Sequence, residues 1–201
     1  MLDGHALNPF TTPDQPTLQW VFDAIESDPD LPLQRLRNLL SSLRTLCKLM
    51  QRDLHFLPAH PGYYRHFLKR LHPEHCGLTK KRIGNIKSDV LFALRHTGCI
   101  GNGHSYMAPL TPEWQALSDR AIGFGRIRFY LSRLMHFCSA NGISPDAVND
   151  QISERFLRAL IDESFVKNPI KTHRDICKLW NRAVDEVPGW PIIKLTVPRY
   201  K

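Results

Sequence analysis

The sequence predicts an all-α protein built as two consecutive small helical bundles. Three observations carry that expectation. Apolar residues recur at three- and four-residue steps in one run after another. The alternating pattern of a strand is absent until the last few residues. A stretch rich in glycine and proline, residues 98–112, then separates two such helical series. A chain of 201 residues with 42% apolar and 23% charged content can bury one or two modest cores and is too polar for a membrane protein.

The elements follow in order. Leu18, Val21, Phe22 and Ile25 give one apolar face to a helix around 16–27, inside an acidic segment spanning 1–33. Leu33, Leu36, Leu39, Leu40, Leu43, Leu46, Cys47 and Met50 predict a long helix over about 32–53. His60-Pro61 opens a short helix carrying Tyr64, Phe67, Leu68 and Leu71. Leu78-Thr79 starts another through Ile83, Ile86, Val90, Leu91 and Leu94, ended by Gly98, which closes a first unit at 34–97. The linker follows. A second unit, 113–187, opens at Thr111-Pro112-Glu113 and continues through Ile127, Tyr130, Leu131, Leu134, Phe137 and Cys138 to Gly142. Gly123 and Gly125 weaken continuity there, leaving one helix or two. Helices at about 148–162 and 169–186 complete the unit, and Val187-Pro-Gly-Trp-Pro191 leads into an exit segment, 188–201.

The two units read as a duplication. Arg35-Leu-Arg37 before Leu40-Ser41 and Leu46-Cys47 matches Arg126-Ile-Arg128 before Leu131-Ser132 and Phe137-Cys138 at an offset of 91. His66–Leu71 then matches Arg155–Leu160, and Asp89-Val90 matches Asp175-Ile176, at offsets of 89 and 86. Chance similarity of two amphipathic arrays is the alternative.

Charge is distributed unevenly. The overall balance of +8 divides into −6 over residues 1–33, +10 over 34–110 and +4 over 111–201. Such an excess attracts polyanions, nucleic acid foremost, with an anionic membrane surface as competitor and a merely solvated surface as the bland alternative. No apolar run is long enough to span a bilayer, and the first 33 residues hold no Lys or Arg, unlike the start of a signal peptide. The five cysteines, Cys47, Cys76, Cys99, Cys138 and Cys177, form no CxxC pair, so a reducing, cytoplasmic setting is expected.

Chemistry-bearing motifs are few. His72, His75, Cys76, His96, Cys99 and His104 are all zinc-ligand types, but no familiar finger spacing links them, so no metal and no cofactor is expected. GxSxG, HExxH and GxxxxGK[ST] are absent, Gly101-Asn-Gly103 has no strand before it, and Asp162-Glu163 and Asp185-Glu186 sit late in helices. The candidate DNA-binding residues are basic clusters at helix starts, where backbone NH groups and the positive dipole end also favour phosphate. In the first unit they are Thr79, Lys80, Lys81, Arg82, Asn85 and Lys87. In the second, Lys171, Thr172, Arg174 and Lys178 occupy the corresponding place beside Lys167. Arg35, Arg37, Arg126 and Arg128 head the preceding long helices as a second line of contact.

The run Arg126–Pro145, then Glu154-Arg-Phe-Leu157, then Lys171–Arg182 resembles the core-binding domain of the tyrosine recombinases, the phage-integrase family. Val187–Tyr200 is similar to the passage from that domain to the catalytic half, and residues 34–97 look like a diverged further copy. The resemblance implies SAM-like bundles forming half of a clamp on double-stranded DNA, in DNA integration and recombination, in a prokaryotic, nucleoid-associated protein. The family's catalytic half supplies arginines, a lysine, HxxR and a tyrosine nucleophile; HxxR occurs nowhere here, and Tyr200 lacks a cationic cluster around it. The chain is therefore expected to be non-catalytic alone, a truncated integrase or an isolated part. Its expected partners are double-stranded DNA and other integrase protomers, with no membrane and no small-molecule substrate. A helix-turn-helix regulator, a protein-interaction module and a metal-dependent nuclease are the rivals.

Overall fold

The computed structural model describes residues 15–101 and 108–199. The chain divides into two compact units, 1–100 and 101–201, with the boundary inside the expected linker. All regular structure among the described residues is helical; a single isolated bridge joins Thr17 to Pro58.

The first unit holds α1 (Leu18–Glu26), α2 (Leu33–Met50), α3 (Pro61–Arg70), α4 (Pro73–Cys76) and α5 (Lys80–His96). Its framework is the antiparallel pair α2 and α5. Leu39, Leu43 and Leu46 of α2 are buried together with Ile86, Val90 and Leu94 of α5. Within the acidic start, Leu18, Val21, Phe22 and Ile25 place α1 in this same core. Leu18 N donates to Leu57 O at 2.7 Å and Ala59 N to Pro16 O at 2.8 Å, which pins the head of α1 to the α2–α3 connection. The helix expected to run to 53 stops at Met50, because Gln51 adopts φ 52° and turns its own NH and that of Arg52 back onto the last carbonyls.

The second unit holds α6 (Pro112–Arg120), α7 (Arg126–Ala140), α8 (Asp150–Asp162) and α9 (Pro169–Glu186). The two glycines decide the open question in favour of two helices. A 3-10 turn, Ala121–Phe124, ends at Gly125, whose φ of 53° and ψ of −105° suit a residue without Cβ. Trp114, Leu131, Leu134, Phe137, Phe156 and Trp180 make the centre of the core. Both tryptophans satisfy their indole NH on backbone carbonyls, Trp114 on Ile143 at 2.7 Å and Trp180 on Ile193 at 2.8 Å.

Three expectations need correction. Residues 188–199 form no strand and pack on the second core: Trp190 is buried edge-on to Trp180 at 5.3 Å, and Asn181 brackets Leu195 through two 2.7 Å hydrogen bonds. The linker is shorter than 98–112, since Ile100 is buried in the first unit and Leu110 packs on the second core. Tyr130, expected on the buried stripe of α7, is exposed instead. Helices bearing the matched segments nevertheless occur in the anticipated order: α2 and α7, α3 and α8, α5 and α9. Asn102, Gly103, His104 and Tyr200 lie outside the described residues.

Candidate nucleic-acid interface

Helix termini carry a partial positive charge at their start, so acids there are favourable by about 0.3–1 kcal/mol each and cations unfavourable. Three helices follow this rule, with Glu74, Glu113 and Asp150 in the first turns of α4, α6 and α8, whereas the first turns of α1 and α3 hold neither acid nor cation. The four long helices invert it. Arg35 in α2, Lys80, Lys81 and Arg82 in α5, Arg126 and Arg128 in α7, and Lys171 in α9 occupy first turns that contain no acid. In α9 the inversion is complete, because Asp185 and Glu186 lie in its last turn, at the negative end of the dipole.

Individual side chains divide into two groups. Arg37, Lys80, Lys81, Asn85, Arg126, Lys171 and Lys178 are exposed, as is Lys167. The others serve the bundle in whole or part. Arg35 Nη1 lies 2.7 Å from Asp89 Oδ1 and its guanidinium covers the Phe92 ring at 4.3 Å. Ser42 Oγ donates to the other carboxylate oxygen at 2.6 Å. Arg82 donates to Ser41 and Ser42 at 3.0 and 3.3 Å, and Thr79 caps α5 by accepting from Arg82 N at 3.1 Å. Arg128 Nε donates to Ser118 Oγ at 3.1 Å. Lys87, Thr172 and Arg174 are half-buried.

The structure also separates what spacing in sequence left together. Arg35 stands level with Asp89, and Arg82 with Ser41 to Thr45, because α2 and α5 run antiparallel. The heads of these helices are therefore roughly 15 Å apart along the bundle, at 1.5 Å per residue. In the second unit the early turns of α7 and α9 border one cleft, lined by Phe129, Tyr130, Arg133, Thr172, Asp175 and Ile176. Tyr130 was not legible as a surface residue, since an aromatic side chain at helical spacing reads as core, whereas Phe129 falls off the apolar stripe and is exposed.

A second constellation escaped the sequence reading. Ser153 Oγ lies 2.7 Å from His173 Nε2 and 3.3 Å from Cys177 Sγ, joining α8 to α9. Burial holds the His173 pKa below its ordinary value and pushes the Cys177 thiol up. All three residues are buried, which closes them to a substrate and makes them a polar contact within the core. The Cys138 thiol, also buried, is pushed up to about 12. Among the described residues no group of three His, Cys, Asp or Glu residues suited to a metal occurs. His96 instead pairs with Asp28, whose carboxyl is held low by that hydrogen bond, and Cys76 Sγ donates to His72 O at 3.2 Å.

No helix among the described residues is long and apolar enough to cross a membrane. No protein-family model, curated protein or solved structure matches the chain.

Proposed function

We propose that the chain binds double-stranded DNA as the N-terminal, non-catalytic part of a site-specific integrase or recombinase. The observation that carries DNA binding is the inverted charge at the starts of α5, α7 and α9, where Lys80, Lys81, Arg126 and Lys171 are exposed, on a chain whose balance is +8. Cations at those positions oppose the helix dipole and lower stability slightly, whereas a phosphate backbone turns the same positions into contacts. The integrase assignment rests on the resemblance of Arg126–Pro145 and Lys171–Arg182 to a core-binding domain. In that reading the chain grips recombination-site duplex in a prokaryotic cytoplasm, and other protomers or a catalytic half carry out strand exchange.

Titrating a labelled duplex with the full chain across a salt series tests the binding. Contact with about six phosphates gives a log–log slope of roughly −5. Absence of association at low ionic strength overturns the proposal. A footprint confined to a promoter, with no recombination site nearby, makes the chain a regulator instead.

A further inference from the structure

We propose that the cleft between α7 and α9 takes one unpaired nucleobase of a DNA strand, stacked against Phe129 and Tyr130 and held at an exocyclic amino group by Asp175. The inference rests on the DNA-binding reading and deepens it.

Arg126, Phe129, Tyr130 and Arg133 fall at i, i+3, i+4 and i+7, so cations and aromatic rings share one stripe of α7. Phe129 is 77% exposed and Tyr130 47%, in a helix whose other large apolar residues are buried. The two rings meet edge to face at 5.7 Å, so they are not closed on each other by stacking. Exposed aromatic faces flanked by Arg and Lys are what a nucleic-acid strand uses when its bases are not paired, because every base offers a π-face and every link a phosphate. Within a duplex those faces are already covered.

The cleft beside the rings holds about 230 Å³. That is below the ~300–1,000 Å³ of drug-sized pockets, so it suits one heterocyclic ring. Its polar lining supplies the selection. Asp175 is half-buried and makes no hydrogen bond or ion pair among the described residues. Its sequence match in the first unit, Asp89, is sealed by Arg35 and Ser42. A carboxylate without a donor from the protein remains open to one from a ligand, and an exocyclic amino group supplies it. Cytosine and adenine carry that group; thymine does not. The exposed cations Arg126 and Lys171, in the first turns of the same two helices, match the charge of the strand.

The test compares three labelled duplexes with the full chain: perfectly paired, carrying one bulged cytosine, and carrying one bulged thymine. The bulged cytosine should bind at least about fivefold tighter than the paired duplex, the lower end of measured base–aromatic stacking. The double variant Phe129→Ala/Tyr130→Ala should lose that margin while keeping its affinity for the paired duplex, since neither ring supports the core. Asp175→Asn should narrow the preference for cytosine over thymine. A 2-aminopurine placed at the bulge should be quenched by the wild type and not by the double variant. Equal affinity for all three duplexes, or a margin that survives in the double variant, overturns the inference while leaving duplex binding intact. Absence of binding to the paired duplex removes the underlying reading itself. Should the double variant only dissociate a dimer, the stripe is a contact between copies and the inference falls.

Discussion

Asp89 illustrates what a single side chain does here. Its carboxylate is 8% exposed, against 36% for the Arg35 side chain that pairs with it. Removing Arg35 leaves Asp89 with Ser42 alone, so Arg35→Ala should lower stability by about 1–3 kcal/mol in urea unfolding. A side chain serving only as a surface contact would stay within ~0.5 kcal/mol. His173 adds a pH dependence of known sign. Its folded pKa lies below the ordinary 6.5 because burial disfavours the charged ring. The unfolded chain therefore binds the proton more readily, and stability, full above pH 6.5, falls as acid carries the pH down through the lowered folded value. The variant His173→Gln should flatten that part of the curve; an unchanged slope between pH 7.5 and 5 would show that some other group sets it.

At the scale of elements, the starts of the long helices set stability against function. Lys80→Glu/Lys81→Glu brings acids to the first turn of α5, where the dipole favours them. The variant should melt slightly higher than the wild type, by the equivalent of about 0.3–1 kcal/mol per site. The same variant should bind duplex more weakly, with a salt slope shallower by roughly 0.9 for each phosphate that the lysines no longer neutralise. Higher melting with undiminished DNA affinity would confine these lysines to the solvated surface. Element positions were legible in the sequence because local rules fix them. The helix expected at 169–186 is α9 itself, with Asn168 accepting from Lys171 N and Pro169 in its first turn. The break at Gly125 was half legible, since two glycines weaken a helix but only the backbone angles show where it stops. The end of α2 was not, because Gln51 at positive φ carries no compositional signal.

For the molecule as a whole, the two units have separate cores, and the segments flanking the helices belong to them. Trp190, beyond the last helix, closes the second core against Trp180. Replacing it by alanine should cost about 3 kcal/mol. Calorimetry should show the loss in one transition if the units melt independently. Loss in neither transition would mean that the segment after α9 does not support the core.

The sequence by itself determined the helical class, the two-unit division, most helix positions and the asymmetry of charge, because periodicity, capping and composition act over a few neighbouring residues. Tertiary structure alone decided which cations stay at the surface, and it turned Arg35 and Arg82 inward to hold α2 against α5. It also left Phe129 and Tyr130 outside the core and brought Asp175 beside them. These outcomes depend on which faces of distant helices meet, and side-chain burial is settled by that meeting rather than by any residue's own chemistry.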